Sequence, residues 1–174
     1  VLALVSFALV LTTNAYTVAL SFGALAVTIV YPFTKRFFAM PQAVLGVAYA
    51  FGIPMAFTAV LNEIPPVVGW LLAGKLAWVI AYDTEYAMVD RADDLKLGIK
   101  TSAITLGRFD VAAIAAFYLA HSAIMAYVLM QFELKNADKS AWAAINSVVF
   151  LGLAAVLLQV LWHIALIRKR ERDN

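Results

Sequence analysis

"YDTEYAMVDRADDLKLGIKTSAITLG", Tyr82 to Gly107, is the stretch on which the reading of this chain turns. Five acidic residues (Asp83, Glu85, Asp90, Asp93 and Asp94) fall close together, and a short basic segment comes after them. Long apolar runs flank them on both sides, and that setting makes the acids informative. The chain has 174 residues, 64% of them hydrophobic and 14% charged, with a mean hydropathy of +0.88. A soluble domain carries about 25% charged residues. A chain this poor in charge cannot cover its own surface in water, so the lipid bilayer is the expected solvent. The absence of cysteine excludes disulfides and thiolate metal sites.

Working outward, the apolar runs divide into helices. Crossing about 30 Å of hydrocarbon takes roughly 20 mostly apolar residues. Val1 to about Leu11 reads as the tail of one helix, and Tyr16 to Val30 as a second, halted by Tyr31-Pro32. Pro41 to Leu61 is a third, opened by a proline whose missing N–H is harmless in a first turn. Gly52 and Pro54 within "FGIPMAF" predict a kink in it. A fourth starts after Pro65-Pro66 and runs through Trp70 and Trp78 into the acidic stretch; Val111–Met130 and Ala141–Ile167 complete the set. Neither strand alternation nor a hairpin signal occurs, so the class is all-α. The expected architecture is a polytopic membrane helical bundle, with about five full transmembrane helices and a partial one, residues 1–174 forming a single membrane domain. The chain opens at Val1 inside an apolar run, without Met or a basic leader, and stops at "RKRERDN". The expectation is a piece of a longer membrane protein.

Loop charges set the orientation. Lys35, Arg36, Arg91, Lys96, Lys100, Arg108, Arg168, Lys169, Arg170 and Arg172 fall on one side, against Lys135 and Lys139 on the other. By the positive-inside rule the acidic stretch faces the cytoplasm. At 100° per residue, Asp90 lies about 20° behind Asp83 and Asp94 about 20° ahead of it. Three carboxylates thus form one narrow stripe, flanked by Tyr86, while Asp93 and Glu85 point elsewhere. With a helix start near Val67, Asp83 lies about 25 Å along the helix and Asp94 about 40 Å. That is the level of the inner headgroups and the cytosol beyond them. Carboxylates four apart repel on a bare helix, so gathering them makes sense if a cation binds between them. An all-oxygen set suits a hard ion such as Mg²⁺, which takes one or two carboxylates plus water and phosphate. The bland alternative is a solvated helix end.

At this point the residues resemble a known family. "YDTEYAMVDRADDLKLGIKTSAITLG" is similar to the second aspartate-rich region of the UbiA superfamily of intramembrane prenyltransferases, closest to its 4-hydroxybenzoate polyprenyltransferases. Asp90 and Asp94 match that family's second D-x-x-x-D motif. "GIKTSAI", Gly98 to Ile104, resembles its G-x-K-S-T-A-I/L signature with Ser and Thr exchanged, and Val30 to Phe57 resembles the segment joining its fourth and fifth helices. The family's first motif, N-D-x-x-D-x-x-x-D, does not occur in this chain. In family terms the chain spans roughly the third through eighth of nine helices, and alone it is expected to be inactive. The resemblance implies an enzyme of the bacterial or mitochondrial inner membrane, its Asp motif on the cytoplasmic or matrix side. It implies Mg²⁺ shared between the two Asp motifs, polyprenyl diphosphate as donor, and 4-hydroxybenzoate of ubiquinone biosynthesis as aromatic acceptor. Nucleic acid is not an expected partner.

The resemblance and the stripe together nominate the site residues. Asp90 and Asp94 are the catalytic metal ligands, and Asp83 either joins them or tunes their shell. Arg36 binds a carboxylate or diphosphate through its fork or serves as a positive-inside anchor, with Lys35 the weaker candidate beside it. Tyr31 lines the same pocket or is an interfacial aromatic. Lys96 and Lys100 grip diphosphate oxygens or are solvated lysines. Lys75, inside an apolar run, is expected to snorkel toward the outer interface, and His121 and His163 to pack. Two other classes compete. A CDP-alcohol transferase would show D-G-x-x-A-R, which is absent. A cation transporter would hold its acids near the midplane on broken helices.

Overall fold

The computed structural model describes residues 2–136 and 142–169, with side chains over 2–131 and 148–169. Val1, Lys139, Ala141, Arg170 and Arg172 lie outside the described residues, and so does the side chain of Lys135. The elements are α1 (Leu2–Val10), α2 (Ala15–Thr34), α3 (Pro41–Ala50), α4 (Gly52–Leu61), α5 (Val67–Leu97), α6 (Ser102–Leu106), a 3₁₀ turn (Gly107–Phe109), α7 (Asp110–Asn136) and α8 (Trp142–Ile167). Among the described residues there is no strand. Among the described residues, five stretches are long and apolar enough to cross a membrane, and α1 is shorter than a span.

Local chemistry explains most boundaries. Asn14 caps α2 by accepting the Thr17 N–H at 2.9 Å, satisfying one of the orphan donors of a first turn. One boundary differs from the sequence expectation: Pro32 does not halt α2, which continues to Thr34. A proline in the last turn removes a single hydrogen bond, and the turn closes beyond it through the Thr34 hydroxyl, which donates to Tyr31 O at 2.5 Å. The expected kink is present as a break at Phe51 between α3 and α4. Pro54 has no N–H to return to Ala50 O, and a chain in lipid tolerates this where neighbours supply partners. A short helix inside the signature, α6, departs from the sequence expectation. Five residues carry too little periodicity to announce one.

The longest helix, α5, is the axis of the bundle. It packs most extensively on α7 and next on α3, and α8 packs on α7. Small residues permit the close approach, as is usual between helices in lipid. Gly46 of α3 faces Leu76 and Val79 of α5, and Gly74 of α5 faces Ile124 and Met125 of α7. The core joins Ala81, Ile114, Tyr118 and Val160, with Trp78, Met88, Phe117, Ile164 and Ile167 around it. Outward, α1 buries no residue, and Leu2, Leu4, Leu158 and Trp162 stand exposed. In water such a surface would aggregate; a bilayer accommodates it.

Candidate functional site

The acidic end of α5 is held in place by the segment Gly98–Thr105. Gly98, with φ +67°, takes the left-handed conformation that ends the helix, and its N–H bonds back to Asp94 O and Leu95 O. Ile99 N–H also returns to Asp94 O at 3.0 Å, a Schellman-type stop. The chain then doubles back onto the loop after α2. Lys100 N–H donates to Lys35 O at 2.8 Å, and the Lys100 ammonium donates to Phe37 O at 3.1 Å. Thr105 Oγ1 donates to Ala39 O at 2.5 Å, and Ser102 N–H donates to Gln42 Oε1 at 2.8 Å. Ser102 Oγ also meets Thr84 Oγ1 at 2.7 Å. Gln42, Thr84 and Ser102 are all buried, so the Gln42 carbonyl, the Ser102 N–H and the two hydroxyls pair with one another, as burial demands.

The clasp brings the basic loop to the acidic stripe. The charge of Lys35 acts on both Asp83 and Asp94. Its ammonium also lies 5.8 Å from the centroid of the Tyr31 ring. Tyr31, Lys35, Asp83 and Asp94 therefore form one neighbourhood built from two helices. Asp90 is exposed and Asp94 partly so, while Asp83 is half-buried. Arg36 is exposed on the same loop. Lys96 is not directed to the stripe: it pairs with Asp93 at 3.1 Å, in the open. Lys100, expected to grip phosphate, has its ammonium on the Phe37 carbonyl.

For a hard cation the stripe is an open donor set. Among the described residues, no three His, Cys, Asp or Glu side chains converge as a metal-holding group. What α5 offers is a pair of carboxylates, four residues apart, with a third a little deeper. Mg²⁺ uses one or two carboxylates and completes its octahedron with water and phosphate. The set fits an ion that arrives with a phosphate ligand, rather than one caged by the protein alone.

Several polar ties escape sequence reasoning. Glu85 leaves the stripe, as its angle requires, and its Oε2 accepts the Tyr118 hydroxyl of α7 at 3.2 Å. Its Oε1 lies 3.6 Å from His163 Nδ1 of α8. His163 thus brings a ring nitrogen toward a carboxylate as well as packing. His121 Nδ1 lies 2.8 Å from Gly74 O, where the glycine lets the ring approach the backbone. The Lys75 ammonium lies 4.3 Å from the Trp78 ring centroid on the same helix, in cation–π contact. Arg91, inside the Asp motif, reaches Asp110 at the start of α7. No local spacing signals these pairs, because most of the partners are far apart in sequence.

A polytopic helical membrane protein, its acidic helix end clasped to a basic loop, is the class these features define. The chain belongs to the UbiA prenyltransferase family, whose description matches residues 1–174. It is similar to proteins named 4-hydroxybenzoate octaprenyltransferase. With that of Paracidovorax citrulli it shares 62% identity over 174 residues, all of this chain and 55% of the relative. For Polaromonas sp. the identity is 60%, across 57% of the relative, and for Polaromonas naphthalenivorans 58%, across 56%. The chain spans about half the length of these curated relatives. No solved structure matches it. Family and fold together make it an integral, multi-pass membrane protein.

Proposed function

We propose that this chain, in the length its relatives have, supports Mg²⁺-dependent transfer of a polyprenyl group from polyprenyl diphosphate to the aromatic ring of 4-hydroxybenzoate. The observation that carries the reading is the basic loop of Lys35 and Arg36 held at the acidic end of α5, by Lys100 N–H on Lys35 O at 2.8 Å and the Lys100 ammonium on Phe37 O at 3.1 Å. The names of the relatives point the same way.

Asp90 and Asp94 would hold Mg²⁺ by one carboxylate each, with Asp83 completing or tuning the shell. The ion, when bound, supplies charge neutralisation that makes diphosphate a better leaving group. Lys35 and Arg36 face the same anion from the α2 side, and the guanidinium fork also suits the acceptor carboxylate. Tyr31 borders the place where the acceptor ring would lie. The role of Lys100 shifts in this reading: bonded to Phe37 O, it positions the loop that carries Lys35 and Arg36. The apolar helices accommodate the prenyl chain and keep water from quenching the allylic cation. The orientation that places the stripe at the cytoplasmic or matrix face belongs to the same reading.

The test is prenyl transfer to radiolabelled 4-hydroxybenzoate in membranes that contain the protein at the length of its relatives. Asp90→Ala and Asp94→Ala each abolish transfer, and chelation of divalent metal does the same. Full activity in either variant removes the site assignment. Transfer only to homogentisate or a naphthoate keeps the chemistry and replaces the acceptor.

A further inference from the structure

We propose that Arg91, through its ion pair with Asp110, is the positioning residue that fixes the rotation of the acidic end of α5; this rests on the prenyl-transfer reading of that end. The motif Asp90–Asp94 lies on a part of α5 that the core does not grip. Ala87 is the last buried residue of the helix, and Val89, Leu95 and Leu97 are exposed. Two and a half turns of helix therefore extend beyond the packing as a lever, at about 3.6 residues per turn.

Arg91 is where a side chain on the lever itself is tied to the bundle. Its Nη1 lies 3.2 Å from Asp110 Oδ2, with the Asp110 side chain fully buried and that of Arg91 31% exposed. Asp110 is in turn fixed at the head of α7, its Oδ1 accepting the Val111 N–H at 2.7 Å. The other end of the guanidinium lies against Gly107, whose φ of +56° makes the turn into α7. At 100° per residue, Arg91 is about 100° round the helix from Asp90 and about 60° from Asp94. Turning Arg91 into the head of α7 keeps both carboxylates about 60–100° round the helix from that contact. A planar fork suits this work, because it restricts rotation in a way that a point charge does not. The Gly98–Thr105 clasp fixes the tip of the lever, and Arg91 fixes its angle.

The chain contains no cysteine, so Leu97→Cys and Phe109→Cys, both exposed, can carry spin labels in a full-length protein freed of other cysteines. Electron-spin distance measurement should give one narrow distribution with Arg91 present. Arg91→Gln and Asp110→Asn should each broaden it, and the exchange Arg91→Asp with Asp110→Arg should narrow it again. In turnover, Arg91→Gln should raise the Mg²⁺ concentration for half-maximal rate about tenfold, the effect of losing an outer-shell support, with the KM for 4-hydroxybenzoate little changed. A distribution as narrow in Arg91→Gln as in the parent overturns the proposal, whatever the activity. An unchanged Mg²⁺ requirement overturns it as well. If the Gln variant does not fold, Arg91→Lys replaces it, keeping the charge and losing the fork; parent-like width there also overturns the proposal. A parent protein with no prenyl transfer would instead remove the functional reading, and the distance data would still decide the role of Arg91 in the structure.

Discussion

At the scale of single residues, the protein places polar groups where lipid forbids leaving them unpaired. Gln42 shows what is at stake. Its Oε1 satisfies the N–H of fully buried Ser102, and Gln42→Leu leaves that donor orphaned at a cost of about 1–3 kcal/mol. The expected outcome is a lower thermal midpoint in detergent and weaker prenyl transfer, since the same contact holds the basic loop against α5. Gly74 sets a steric limit. A Cβ there would overlap Met125 and come 3.2 Å from Ile124. Gly74→Val should destabilise by about 1–3 kcal/mol, the usual overpacking cost, and Gly74→Ala by less, because the Met125 terminus can swing away. Unfolding in mixed detergent micelles ranks the two. Residue types and angles made Asp83, Asp90 and Asp94 legible as a stripe. The partners of Gln42, Glu85 and His121 were not legible, because each lies on another element.

At the scale of elements, α8 is packed on α7 and tied to α5 through Glu85 and His163. The His163 ring also stands edge-on to Tyr118, with centroids 6.2 Å apart. His163→Phe keeps a ring there and removes the nitrogen that faces Glu85. Amide hydrogen exchange should then quicken over Val160–Ile167 and change little in α5, the inner helix. Uniform exchange across both would show that the tie is not local to α8. The kink between α3 and α4 was readable, since Gly52 and Pro54 act through their own backbone. The passage of α2 through Pro32 was not. Whether a proline ends a helix depends on what closes the next turn, and here the Thr34 hydroxyl does so.

At the scale of the whole molecule, loop charge gives a testable orientation. Leu97 and Glu63 lie at opposite ends of the α5 span and are exposed. Single cysteines at these positions should react with a membrane-impermeant maleimide from opposite sides, Leu97→Cys from the cytoplasmic face. Labelling of both from one side would reverse or break the topology on which the site reading depends.

The sequence by itself determined the solvent, the helical class, the apolar runs long enough to span and the alignment of the acids on one stripe of α5. These come from composition and from a period of about 3.6 residues, which are properties of the chain taken a few turns at a time. Only the tertiary structure decided what the acids face. Lys35 comes to the Asp83 and Asp94 side of α5 because the signature segment folds back onto the α2–α3 loop, Lys100 N–H donating to Lys35 O. Arg91 points away from the stripe because a buried carboxylate waits at the head of α7. Both results come from contacts between distant segments, where packing and the need to satisfy buried polar groups choose among partners that a linear sequence leaves equal.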